Sequence, residues 1–293
     1  MDNFIILLIG AFCGGVIGAA FGSIPSFIIT GFLALSGGIL TMAGIPEYSI
    51  GHVTFGLLWG PHITFAGAAA AASFAAIKRK KLSSAQDVLT PLYSLNDISV
   101  LVAGGVFAIV GFLVFTLFST KLAFIKTDAP GAGVFFSLML CRLLVGRTGP
   151  IGICSLDVKR TWLPNPDLSV VLHAFIGATM AAVIGIVGKA MIDAGLPKEQ
   201  LAGFPLICFG ISAASLIFLQ TGFSIPITHH ISYPSAVAFV LTGNIFIAIA
   251  VGAINAVAWQ VAGNVFNSNC DTYIDPPATV IMISVAIINL LFG

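Results

Sequence analysis

Charge is what this chain has least of: Asp, Glu, Lys and Arg make up 8% of its 293 residues, and the formal net charge is +1. That scarcity excludes the solvated surface of an ordinary soluble domain and leaves no basic face for nucleic acid. Cysteine is sparse too. Cys13, Cys141, Cys154, Cys208 and Cys270 are scattered without a CxxC, so neither a disulfide framework nor a zinc pattern is present. No Gly-x-Ser-x-Gly and no HExxH occurs, which removes the two hydrolase classes those motifs signal. The chain therefore reads as a non-enzyme without cofactor or metal. A positively charged leader is also missing, since Met1-Asp2-Asn3 precedes the first apolar run. Residues 4–22 read as a retained helix and not as a signal peptide.

Apolar sequence fills the space left by charge. Hydrophobic residues reach 58% and the mean hydropathy is +1.08, with runs near the ~20 residues a helix needs to cross a bilayer. The strict alternation of a membrane β-barrel is absent. The fold class expected is an all-α polytopic membrane protein, in a prokaryotic cytoplasmic membrane. The one strongly basic cluster, Lys78-Arg79-Lys80-Lys81, reads as a cytoplasmic anchor facing lipid headgroups, with the 147–167 linker on the same side.

The chain also repeats itself. Ile176-Gly177-Ala178 and Val183-Ile184-Gly185 match Ile9-Gly10-Ala11 and Val16-Ile17-Gly18 at an offset of 167, and residues 128–146 align with 275–293 at an offset of 147. The latter pair shares Asp128/Asp275, Pro130/Pro277, Ser137/Ser284 and Gly146/Gly293. Deleting one segment the size of the polar 78–97 connection explains both registers. Residues 1–146 and 168–293 are thus expected to form two homologous five-element repeats. Helices fall at about 4–22, 27–44 (closed by Pro46), 64–77, 98–118 and 131–146, then at about 168–188, 201–220, 231–243, 245–266 and 277–293.

The third element carries the chemistry. Pro61-His62-Ile63-Thr64-Phe65 recurs as His229-His230-Ile231-Ser232-Tyr233, inside apolar sequence where an ionisable group marks a site by default. The helix after His230 is too short to span the ~30 Å core alone, and Gly60-Pro61 breaks the chain before its counterpart. An extended stretch before each histidine would complete a crossing and invert one repeat relative to the other, the expected arrangement and one common in secondary transporters, whereas a re-entrant element would leave the copies parallel. Thr64 and Ser232 are expected as helix N-caps, with Pro234 in the first turn. His62, Thr64, Phe65, His229, His230, Ser232 and Tyr233 are the expected substrate-binding residues, and Asp128 and Asp275 the expected caps or gates of the final helices. His229 and His230 lack a third ligand at metal spacing.

Gly10, Gly14, Gly18 and Gly22 place glycine on one helix face as a zipper-like packing seam, within the fold or in a homo-oligomer. Ala19, off that seam, should tolerate a larger side chain. The function expected is a secondary transporter or channel-like facilitator for a small polar or anionic solute. The alternative is a non-catalytic integral subunit of a larger membrane complex, packing through its glycine faces.

Overall fold

The computed structural model describes residues 2–45, 48–152, 162–164 and 167–293, and the described residues are helical with no strand among them. Pro46, Cys154, Asp157, Lys159 and Arg160 lie outside the described residues. The first half contains α1 (Asp2–Phe21), α2 (Ser23–Met42), α3 (Thr64–Ile77), α4 (Ile98–Ser119) and α5 (Ala129–Cys141), the last continued by a π-helical turn to Gly146. The second contains α6 (Leu168–Asp193), the segmented run α7 (Lys198–Leu201), α8 (Phe204–Ala214) and α9 (Leu216–Gln220), then α10 (His229–Thr242), α11 (Ile245–Asn267) and α12 (Pro276–Phe292). Seven stretches among the described residues are long and apolar enough to cross a membrane, while α3 and α12 are shorter. This is the signature of an integral membrane protein.

Two boundaries differ from expectation for local reasons. Helix α2 starts at Ser23 because Gly22 turns the chain with φ +92°, a conformation glycine adopts without strain, and Pro25 falls in a first turn that needs no donor there. The run expected as one helix at 201–220 is instead broken after Leu201, where Gly203 presses against Gly38 of α2.

Packing is set by glycine and alanine, because lipid supplies no hydrophobic force between helices and close backbone approach must. Gly10, Gly14 and Gly18 of α1 lie against Leu57, Ile63 and Thr64, so the seam is occupied within the chain. Gly22 is the turn beyond it. Ala19 is fully buried, and a Cβ on Gly104 of α4 would sit 2.7 Å from its own, so it offers no tolerant contrast to the seam. Helix α3 is alanine-rich and buried almost throughout, which lets α1, α4 and α5 surround it.

The two halves pack alike. Helix α1 packs on α3 and α4 and α3 on α4 and α5, while α6 packs on α10 and α11 and α10 on α11 and α12. Between halves, α2 meets α8 and α5 meets α12. Gly31 touches Ala213 and Ala214 while Gly38 touches Gly203 and Ile207, so α2 and α8 are antiparallel. In the same way Gly177 meets Gly252 and Ala256 while Gly185 meets Ile245, so α6 and α11 are antiparallel.

One end of the bundle gathers the connections. The Ile24 N–H donates to the Val88 carbonyl at 2.9 Å, Gln220 Nε2 to Leu89 at 3.0 Å and Gln86 Nε2 to Cys270 at 3.0 Å. The basic segment is part of this end, where Arg79 (2.9 Å) and Lys81 (3.2 Å) pair with Asp97, the N-cap of α4. The Ser99 hydroxyl, followed by Arg79, holds the Asp97 carboxyl well below the usual carboxylate range.

Candidate functional site

Both third-element helices begin partway along a neighbour, after chain that is not helical. Residues 55–63 lead to α3 and 221–228 to α10. The His62 carbonyl presses on Gly111 near the middle of α4, and the His230 carbonyl accepts a hydrogen bond from Asn255 Nδ2 (3.0 Å) near the middle of α11. Asn255 also donates to Ser284 of α12 at 3.0 Å, joining the break to two helices.

The N-caps are not those expected. Helix α3 has Ile63 and α10 has Thr228 at the cap, neither with a side-chain cap bond. Thr64 Oγ1 instead turns back to the Gly60 carbonyl at 3.3 Å, and Ser232 bonds to Ser212 Oγ at 2.9 Å and to the Cys208 carbonyl at 3.1 Å. Pro234 accordingly lies inside α10 and not in its first turn. Some of the amides at these helix starts are taken by preceding carbonyls: Ile63 and Thr64 donate to Gly60, and Ile231 and Ser232 to Thr228.

The motif histidines face away from each other's helices. His62 stacks on Phe115 of α4 with centroids 4.2 Å apart, and His230 stacks on Trp259 of α11 at 5.6 Å. Trp259 is itself stacked on His173, whose Nδ1 lies 2.7 Å from the Ser169 carbonyl. His52 is exposed. His229 turns the other way, between Phe27 (4.8 Å) and Phe209 (6.1 Å).

That side of the motif borders a cavity of about 400 Å³, within the range of small-molecule pockets. Phe65, His229, Tyr233, Asp128 and Asp275 all line it; His62, His230, Thr64 and Ser232 do not. Phe27, Phe55, Phe115, Phe209 and Tyr273 supply most of the aromatic wall. No Lys or Arg is among the lining residues.

The two aspartates sit at the meeting of α5 and α12. Asp128 Oδ2 accepts the Gly131 N–H at 2.7 Å, and Asp275 Oδ2 accepts the Ala278 N–H at 2.7 Å, so each caps its helix. The Tyr273 hydroxyl donates to Asp275 Oδ1 at 2.9 Å. A Cβ on Gly131 would lie 3.1 Å from the Ala278 carbonyl, so the first turns touch. Asn289 Nδ2 reaches the Lys126 carbonyl at 2.9 Å, at the opposite end of α12 from Asp275, which makes the pair antiparallel.

Arg142, inside the helix expected at 131–146, is fully buried. Its Nε donates to Thr272 Oγ1 at 2.8 Å and its Nη2 to the Thr272 carbonyl at 2.7 Å. It thereby holds the segment that leads to Tyr273 and Asp275. Arg142 lies inside an apolar run, at Leu140-Cys141-Arg142-Leu143-Leu144, which was the available signal. Asn255, equally buried in the apolar α11, carried the same signal. Among the described residues no group of three His, Cys, Asp or Glu side chains could hold a metal ion.

A family model described as a family of unknown function, DUF7973, matches residues 2–153 and 175–293. The chain belongs to that family. Every residue lining the cavity falls inside the segments that match DUF7973. No curated protein and no solved structure matches the chain.

Proposed function

We propose that this protein is a secondary transporter or channel-like facilitator that moves a small polar solute through the cavity between its two halves. The observation that carries this reading is the cavity itself: a buried carboxylate, a partly buried one and a buried histidine lining one space inside a membrane bundle are costly unless something polar passes or binds there.

The reading includes a duplication in inverted orientation. It is supported by the matched packing of the halves, in which each self-equivalent pair, α2 with α8 and α5 with α12, meets and runs antiparallel. In this arrangement α3 and α10 are the inner halves of two broken crossings completed by 55–63 and 221–228, the geometry that alternating-access transporters place around a fixed site. The basic 78–81 segment and the 147–167 linker then belong to the cytoplasmic side. Substrate contact is assigned to Phe65, His229, Tyr233, Asp128 and Asp275; His62, His230, Thr64 and Ser232 support the wall from behind. The solute is polar or cationic in preference to anionic, because the lining holds two carboxylates, which repel an anion, and no Lys or Arg.

Purified full-length protein in liposomes, assayed for uptake of small cations, amines, neutral polar solutes and anions, tests the proposal. At least one solute is expected to enter faster than into protein-free liposomes, and Asp128→Asn or Asp275→Asn to suppress that flux while the cap is kept. No protein-dependent flux for any class would refute it and favour the subunit of a larger complex.

A further inference from the structure

The cavity wall is specific enough to name a class of ligand. Two carboxylates, Asp128 and Asp275, border one aromatic space with no Lys or Arg to neutralise them. Asp275 has both oxygens engaged by protein donors, whereas no protein donor among the described residues reaches Asp128 Oδ1. Acidic helix caps alone would identify nothing. Here a second group points to a ligand: His229 is 5% exposed, lines the same cavity, and its Nδ1 has no hydrogen-bond partner. A buried ring nitrogen left without a partner is expensive unless an incoming group satisfies it.

The walls choose among cations. A bare alkali or divalent ion needs about six oxygen ligands, and the oxygens here are few and partly engaged. Phe27, Phe55, Phe65, Phe115, Phe209, Tyr233 and Tyr273 instead offer ring faces and apolar area, which attract an ammonium group and the carbon body attached to it. The positive ends of α5 and α12 offset part of the carboxylate charge, so one positive charge is balanced better than two. We propose that the cavity binds an organic ammonium monocation, its N–H groups directed at Asp128 and His229 and its apolar body held among the phenylalanine and tyrosine rings. This rests on the reading of the cavity as the solute site of a membrane transporter.

Equilibrium binding of radiolabelled 2-phenylethylamine, protonated at pH 7, to the full chain in lipid nanodiscs tests it without requiring flux. Saturable binding near one molecule per chain is expected. Its neutral isostere 2-phenylethanol and the anion 3-phenylpropanoate should fail to compete at a hundredfold excess. Asp128→Asn should weaken binding at least about tenfold, since a charge-assisted hydrogen bond becomes a neutral one. Asn still caps α5, and gel filtration checks the fold. His229→Phe keeps the contacts with Phe27 and Phe209 and should weaken binding about threefold or more, in line with losing one hydrogen bond. The competition series needs only the unaltered protein and so stands if a variant fails to fold. Absence of saturable binding, equal competition by 2-phenylethanol or 3-phenylpropanoate, or unchanged affinity in folded Asp128→Asn would each overturn the proposal. Amine binding without flux of any solute would uphold this site and overturn transport. Protein-dependent flux of an anion without amine binding would do the reverse.

Discussion

Arg142→Met tests whether one buried guanidinium holds a wall of the cavity. The side chain is fully buried, as is Thr272, whose hydroxyl and carbonyl receive Nε at 2.8 Å and Nη2 at 2.7 Å. Nη2 also lies 3.1 Å from Cys270 Sγ. Methionine matches the stem of arginine but donates nothing, so Thr272 Oγ1 loses its donor and the Thr272 carbonyl is left with only the weak Cys270 Sγ donor at 3.1 Å. At about 1–3 kcal/mol for each unsatisfied buried group, the loss is about 2–6 kcal/mol. An opposing effect must be weighed, because exchanging buried charge for apolar side chains is often neutral or stabilising when the partners are exchanged as well. The Thr272 backbone carbonyl cannot be exchanged, so the penalty wins, at about 3 kcal/mol net. That lowers the apparent Tm by about 6–12 °C on the scaling for domains of comparable size. Thermal unfolding in detergent, followed by the monodisperse gel-filtration peak, provides the measurement. Arg142→Lys keeps a point charge without the planar fork and should fall between the two. A Tm for Arg142→Met within 2 °C of the unaltered protein, at about the noise of such a scan, would refute the clamp.

Three further outcomes follow from the same geometry. Gly111→Leu drives a side chain into the His62 carbonyl and should abolish monodisperse protein, whereas Gly263→Ala in α11, with nothing near its Cβ position, should be neutral or stabilise by about 0.5–1 kcal/mol; equal yields from the two would dismiss the backbone contact. Asn255→Leu strands the His230 carbonyl and should cost about 1–3 kcal/mol, more than Ser284→Ala, which removes only the second partner; unfolding temperatures ranked the other way would count against it. Asp97 has a lowered folded pKa, so its stabilisation is complete above the unfolded value of about 3.9 and is lost only as pH falls further, towards the folded pKa. The Tm gap between the unaltered protein and Asp97→Asn should therefore stay constant from pH 7 to about 4 and narrow below that; a gap that closes between pH 7 and 5 would contradict the assignment.

Membrane residence and the helix positions were legible in the chain because both follow from local quantities. Apolar runs of bilayer length, the Gly60-Pro61 break and the Asp-x-Pro caps act within a few residues of themselves. Thr64 to Ile77 is helical as the pattern indicates, and Asp128 and Asp275 cap the helices that follow them. Which side of a helix meets which neighbour is not local. His229 and His230 are adjacent in sequence, but successive residues on a helix point about 100° apart. Only the placement of α11, with Trp259 stacked on His230, and of α2 and α8, with Phe27 and Phe209 around His229, decides that His229 reaches the cavity. Asp128 and Asp275 lie 147 positions apart, and they border one cavity only because the first turns of α5 and α12 cross at Gly131 and Ala278. Arg142 is a lone charge in an apolar run until the 268–275 segment folds over it and supplies acceptors that only chain distant in sequence could provide.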